Sequence, residues 1–196
     1  MNARLVTSAD LDTAASVLTD AFLDDPTAKY LFPDEPVRER GMRGWFDVMV
    51  ASGMRRGHTY LADGCAASVW APPDTGVLDR VSGAKLLDAA ERIGGADSVQ
   101  RMLALGEATA ASHPHEPHFY LMFVGVASAV SGTGIGPQVI SPVLDMCDRM
   151  GFPAYLEATT QRAVPFYQRF GFTVMNEIPI DGNTTFTAMW RPVVTR

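Results

Sequence analysis

The stretch Val124–Val139, VGVASAVSGTGIGPQV, runs from an apolar, strand-like segment into three alternating glycines, Gly132, Gly134 and Gly136, followed by Pro137. How that junction is read decides the fold. A glycine-rich turn between a strand and a helix lets backbone N–H groups converge on an anion, because no Cβ bars close approach and a helix N-terminus carries positive partial charge. The three glycines therefore suit a pyrophosphate; a merely tight strand-to-helix turn is the competing reading. Two common nucleotide folds fail on spacing. A dinucleotide-binding unit needs GxGxxG early in a run of parallel strands, whereas the spacing here is GxGxG with only about 60 residues to follow. A Walker-type phosphate loop needs Lys and then Ser or Thr after its last glycine, and GPQV has neither.

Outward from this junction the chain alternates element types. ARLVTSADLDTAASVLTDAF reads as a short strand and then a helix, N-capped by Ser8 or Asp10, with Leu11, Ala14, Ala15, Leu18 and Phe22 at helical spacing; it stops near LDDP. DEPVRERGMRGWFDVMVASGMRRG is a second helix, opened by Pro36 and closed by Gly57, its Phe46, Met49 and Val50 facing the core. HTYLADGCAASVWAPP reads as a hairpin turning at Asp63-Gly64. From Val77 to about Ser112 the pattern gives two helices broken at Gly94-Gly95. HFYLMFVGV is a buried strand, and a helix follows from about Gly134 to Met150. PAYLEAT is a strand, RAVPFYQRFG a short helix ending at Gly171, and FTVMNEIPI and TTFTAMWRP are closing strands. The result is one domain, 1–196, of mixed α/β type, with antiparallel strands around one strand–loop–helix unit.

Bulk properties narrow the function. The 196 residues are 47% apolar, enough to bury a core, and carry a formal net charge of −6 with only two lysines, Lys29 and Lys85. Counterion-release binding to nucleic acid has little to work with. Cys65 and Cys147 stand far apart without CxxC spacing, which fits a reducing cytoplasm rather than a disulfide scaffold or a structural metal site. No apolar run approaches the roughly 20 residues of a membrane span. A soluble, cytoplasmic protein without nucleic-acid or membrane partners is expected.

Taken in order, these segments resemble the GNAT superfamily of N-acetyltransferases. The family's acyl-CoA motif, Arg/Gln-x-x-Gly-x-Gly/Ala after a strand, is matched in VGVASAVSGTGIG at Gly134 and Gly136, with Gly132 as a third glycine. FPAYLEATTQRAVPFYQRFGFTV looks like the family's later strand, its short aromatic helix and its next strand. The resemblance is specific from about His115 to Arg191. AFLDDP, SVWAPP and EPHFYL are most similar to the puromycin N-acetyltransferase-like branch.

The resemblance implies an α+β fold with a central, mostly antiparallel sheet of about seven strands flanked by helices, in which strands 119–126 and 153–157 are parallel and splayed apart. Acetyl-CoA as co-substrate would lie in that splay. The implied cofactor-binding positions are Phe123, Val124, Gly125, Val126, Ser131, Gly132, Thr133, Gly134, Ile135, Gly136, Ala163 and Phe166. Val124 and Val126 would pair with the pantetheine arm, and the amides from Gly132 to Gly136 would hold the pyrophosphate. Tyr167 matches the family tyrosine that protonates the leaving thiolate, with core packing as its other reading. Glu157 matches a glutamate common in the branch, and a carboxylate within an apolar sheet has a raised pKa suited to accepting a proton, directly or through water. His118 and Tyr120 are the other candidates for the base, His118 being expected in a solvated, proline-rich entry. Phe22, Asp25, Tyr30 and Trp70, with Asp24, are expected in the acceptor pocket, a solvated helix end and turn being the other reading for either aspartate and the core the other reading for Trp70.

Three positions depart from the family pattern. Ser131 replaces Arg/Gln, Thr133 stands where a long polar side chain is common, and Ala163 replaces an asparagine. Each lost contact costs about 1 kcal/mol. The implied function is acetyl-CoA-dependent acetylation of a small-molecule primary amine; the alternative is a catalytically degraded relative that binds acyl-CoA or another ligand as a sensor or interaction module. The strand TTFTAMW, taken as an exposed sheet edge, leaves a homodimer open.

Overall fold

A computed structural model describes residues 3–73, 75–76 and 78–193; Val77, the expected start of the long helical stretch, lies outside them. Strand β1 (Arg4–Leu5) leads through a 3-10 turn into α1 (Leu11–Phe22). Neither Ser8 nor Asp10 caps α1 through its side chain. The Asp10 carboxylate instead accepts from the Thr7 N–H and hydroxyl at 2.9 and 2.7 Å and from both Arg4 guanidinium nitrogens, tying the helix entry to β1. A helix not expected from the sequence follows, α2 (Pro26–Leu31). Its signals are local: the Asp25 carboxylate accepts the Thr27 N–H at 2.8 Å, and Pro26 fills a first-turn position where a missing N–H costs nothing.

The long helix α3 (Glu35–Arg55) ends just before Gly57, whose φ is +77°. Strands β2 (Thr59–Ala62) and β3 (Ala66–Ala71) form the expected hairpin, turning through positive φ at Asp63 and Gly64. Helix α4 (Arg80–Ser112) consists of two arms meeting at Gly95, which is non-helical at φ 74°, ψ −175°. Then come β4 (Phe119–Val126), α5 (Gly136–Met150), β5 (Ala154–Ala158), α6 (Val164–Gln168), β6 (Thr173–Pro179) and β7 (Thr185–Arg191).

The strands make one seven-stranded sheet in the order β1-β2-β3-β4-β5-β7-β6, antiparallel throughout except for the parallel pair β4–β5. Strand TTFTAMW is therefore not an edge. It lies between β5 and β6, and β6, with an almost wholly exposed run, forms the border. Side-chain alternation divides the core between the two faces. Val69 and Tyr155 face the α1–α3–α4 side, while Trp70, Leu156 and Met189 face α5 with Ile140 and Val143. Helix α1 comes close to β4 because Gly125 has no side chain: a Cβ there would stand 2.7 Å from Ala21 Cβ and 3.0 Å from Leu18 Cδ2.

Candidate active site

Strands β4 and β5 run paired through Phe119–Ala154, Tyr120–Tyr155 and Leu121–Leu156, and the pairing then stops although β4 continues to Val126. A register shift opposite Val69/Trp70 falls at the same level of β4. The Ala127 N–H donates to the Cys65 carbonyl at 2.8 Å, on the hairpin side. Alternation therefore turns the main-chain groups of Val124 and Val126 toward β5, where no strand residue pairs with them. The result is a V-shaped notch with hydrogen-bonding backbone on one wall.

Below the notch, the loop from β4 to α5 is held by α1. The Asp20 carboxylate accepts from the Ser128 N–H at 2.6 Å and its hydroxyl at 3.1 Å, a contact across 108 residues that no sequence pattern announces. Gly132 and Gly134 adopt φ of 81° and 85°, with no atom within 4 Å of where a Cβ would stand. Among the described residues, the amides of Gly132, Gly134, Ile135 and Gly136 make no hydrogen bond, so bare N–H groups gather at the start of α5. This donor set fits a pyrophosphate. Thr133 does not share in it: its amide and its hydroxyl both donate to the Val130 carbonyl, at 3.3 and 2.8 Å. Ser131 is exposed, and its amide donates to the Ser128 carbonyl at 3.2 Å. Ile135 is buried, and a Cβ added at Gly136 would stand 3.5 Å from Val126 Cγ2 and 3.6 Å from Phe166 Cζ. The missing side chain of Gly125 faces α1, and Phe123 packs against the same helical layer.

Beyond the other wall, α6 presents Tyr167, which lines a cavity of about 530 Å³ together with Ala163, Val124, Glu157 and Thr159. Phe166 packs on Tyr167 and Phe170, with the Arg169 guanidinium over its ring. No described residue hydrogen-bonds the Tyr167 hydroxyl, and burial, followed by the nearby Asp25 charge, raises its pKa well above that of an ordinary phenol. Asp25 does not line the cavity; its second carboxylate oxygen accepts the Thr159 hydroxyl at 2.5 Å, linking α2 to the end of β5.

Glu157 lies on the same cavity, its side chain 5% exposed. Oε2 accepts the Tyr120 hydroxyl at 2.5 Å; Oε1 has no hydrogen-bond partner and faces His113 Nδ1 at 3.9 Å. Burial first, then the Glu157 charge, raises the pKa values of Tyr120 and Tyr155, so both phenols stay neutral beside the carboxylate. His118 is buried rather than solvated. Its Nδ1–H donates to the Glu116 carbonyl at 2.6 Å, its ring packs on His113, Tyr155 and Trp190, and burial lowers its pKa.

Of the residues expected in the acceptor pocket, Phe22 lines the cavity. Trp70 does not: it is fully buried on the α5 face of the sheet, because Val69 and Trp70 alternate and Val69 takes the cavity side. Tyr30 packs half-buried against the helical core outside the cavity lining, and Asp24 is exposed with Lys29 3.6 Å away. The remaining wall, Trp45 and Phe46 of α3 with Met102 of α4, was read from sequence only as core-facing helix, if at all.

The arrangement has known relatives. A family model described as an acetyltransferase (GNAT) domain matches residues 86–191. An uncharacterised N-acetyltransferase of Schizosaccharomyces pombe is 29% identical over 189 residues, spanning 91% of this chain and 76% of the yeast protein. Among solved structures, a Corynebacterium glutamicum protein described as a histone acetyltransferase and related acetyltransferase is similar with a TM-score of 0.73 at 25% identity, over 100% of this chain and 97% of that one. A Drosophila melanogaster polyamine N-acetyltransferase, described as forming N-acetylagmatine, shares the fold with a TM-score of 0.62 at 16% identity, over 96% and 97% of the two chains.

Proposed function

The chain belongs to the GNAT acetyltransferase family, and from that premise we propose that it is an acetyl-CoA-dependent N-acetyltransferase of small-molecule primary amines, working in the cytoplasm through a single domain. The observation that carries this reading is the meeting of Tyr167, whose hydroxyl no described residue hydrogen-bonds, and the buried carboxylate of Glu157 on one cavity beside the β4–β5 notch. Similarity to the puromycin-acetylating branch belongs to the same proposal and rests on AFLDDP, SVWAPP and EPHFYL alone.

Acetyl-CoA, when bound, supplies the acetyl group as an activated thioester. The amides of Gly132, Gly134, Ile135 and Gly136 bind the pyrophosphate, and the β5-facing main chain of Val124 and Val126 binds the pantetheine arm. Glu157 Oε1 takes a proton from the acceptor ammonium, directly or through water, so that the amine can attack as a neutral nucleophile. Tyr120 holds Oε2 and orients the carboxylate. Tyr167 keeps its proton at Oη, because burial disfavours the phenolate, and would give it to the departing thiolate, the proton that the attacking nitrogen sheds as the amide forms restoring the phenol. Such proton transfers are worth about 10²–10⁴ in rate.

Calorimetric titration with acetyl-CoA and a thiol-release assay over a panel of amines test the proposal. Tyr167→Phe is expected to lower kcat about a hundredfold or more while leaving acetyl-CoA affinity within about twofold. A second reading is favoured by Ser131, Thr133 and Ala163, which offer the cofactor no long polar side chain: a degraded relative that binds acyl-CoA as a sensor. It predicts binding without wild-type turnover of any amine. No acetyl-CoA binding at millimolar concentration excludes the transferase and an acyl-CoA sensor alike and leaves only a relative that binds another ligand.

A further inference from the structure

Glu157 stands between two hollows. On one side it lines the large cavity beside the notch. On the other is His113, which lines a second hollow of about 210 Å³ with His118 and, exposed at its rim, His115 and Glu116. Tyr120 borders both hollows, so at that point a single side chain divides them.

The two oxygens of Glu157 keep different company. Oε2 accepts the Tyr120 hydroxyl, whereas Oε1 is buried without a hydrogen bond, and His113 Nδ1 lies 3.9 Å from it. Buried polar atoms nearly always have a partner, and catalytic hydrogen bonds are often long before substrates bind and tighten afterwards. An approach of about 1 Å would make this one. His113 is placed to pass a proton on. It is the C-cap of α4, whose last carbonyls carry negative partial charge, and Glu157 stands on its other side. Its side chain is 29% exposed against 5% for Glu157, so the ring reaches water where the carboxylate does not. The other titratable groups against the ring do not compete for the proton. His118, with centroids 4.9 Å apart, has its Nδ1–H committed to the Glu116 carbonyl, and burial lowers its pKa. The phenols of Tyr120 and Tyr155, at 4.9 and 5.0 Å, stay neutral because burial raises their pKa values.

We propose that His113 is the proton outlet of the base: Glu157 takes the ammonium proton at the cavity, and His113 delivers it to water in the second hollow. This rests on the transferase reading above and adds a relay residue to it. The acceptor nitrogen gives its first proton to the Glu157 carboxylate. The Oε1–H bond then breaks as His113 Nδ1 gains that proton, and the imidazolium loses one to water. The second proton of the nitrogen restores Tyr167, so each turnover yields the amide, the thiol and one released proton. Acetyl-CoA and the amine fill the cavity side of Glu157 during this step, which leaves the second hollow as the way to water.

The test compares wild type, His113→Gln and His113→Ala by thiol release, with an amine that the wild-type protein acetylates, in dilute buffer near pH 7. His113→Gln keeps a polar side chain that cannot carry the proton. It is expected to lower kcat about tenfold or more, with KM for the amine and the calorimetric affinity for acetyl-CoA within about twofold of wild type. Imidazole added to His113→Ala, whose short side chain opens the hollow toward Glu157, is expected to restore kcat with saturation and to leave wild type unchanged. A merely structural His113 predicts instead a loss that imidazole does not restore, with a lowered melting temperature in both variants. That result, or a kcat of His113→Gln equal to wild type, overturns the outlet and leaves the transferase standing; wild-type turnover of no amine overturns both.

Discussion

Gly125 and Gly134 show how differently two glycines of one motif are used. At Gly125 the missing Cβ is space taken by α1, so Gly125→Val drives a branched side chain into Ala21 and Leu18; overpacking of this kind costs about 1–3 kcal/mol, and chemical denaturation is expected to show it. At Gly134 nothing stands within 4 Å, and the residue is needed for its φ of 85°. Gly134→Ala therefore meets only left-handed backbone strain, about 1–2 kcal/mol, and acetyl-CoA affinity is expected to fall more noticeably than stability as the loop relaxes. Cysteine behaviour also follows local surroundings. Burial pushes the Cys147 thiol up to about 12, so almost no thiolate exists near pH 8. In a thiol-reagent assay at that pH, Cys147 is expected to react only on unfolding, while the half-buried Cys65 reacts in the folded protein.

At the scale of elements, the C-terminal half is clamped by a fork. Arg191, at the end of β7 and 7% exposed, donates from its two terminal nitrogens to the two carboxylate oxygens of Asp148 on α5 at 2.7 and 2.9 Å, and from Nε to the Phe170 carbonyl at 2.8 Å. One side chain thus joins the strand beside β5, the helix that starts at the glycine loop and the end of α6. A lysine cannot reproduce three donors in one plane. Arg191→Lys is expected to lower stability by about 1–3 kcal/mol and, because α5 and α6 carry the phosphate loop and Tyr167, to weaken acetyl-CoA binding in the same titration. Such a clamp has no signature in either segment alone: Asp148 reads as one more acid on an amphipathic helix, and Arg191 as the polar end of a strand.

Across the whole molecule, the buried His118 and the half-buried His58 make stability fall in acid. Burial lowers the pKa of His58, whose Nδ1 has no partner, and of His118. Unfolded chains take up these protons near the ordinary histidine value of about 6.5, whereas the folded protein resists. The unfolded state therefore binds more protons below that value, and stability present above it is lost as pH falls through the folded pKa values. Melting temperature is expected to drop between pH 7 and pH 5, and His118→Gln to flatten part of that drop.

What the sequence determined by itself is what local chemistry encodes. The glycine run before a helix, Pro36 and Gly57 around α3, the Asp63-Gly64 turn and the period-two strands each depend on φ, capping or side-chain alternation within a few residues, and the mixed sheet with its parallel pair was legible from them together with the GNAT resemblance. Tyr167 and Glu157 were singled out from the GNAT resemblance and the glycine loop from its spacing; that Tyr167 and Glu157 line one cavity is a result of the packed fold. Helix α2 carried such signals too, Asp25 and Pro26, but they compete with a plain turn at LDDP. Only the tertiary structure decided the rest. Alternation says that Val69 and Trp70 point opposite ways, not which face holds the cavity, so Trp70 was misplaced. Strand order is set by pairing between distant segments, so TTFTAMW became an interior strand. The Asp20–Ser128 contact, the Tyr120–Glu157 pair and the approach of His113 to Glu157 exist only where the packed layers converge. Such contacts depend on which far-apart segments close on one another, a choice made by the burial of the whole chain and not by any one stretch of it.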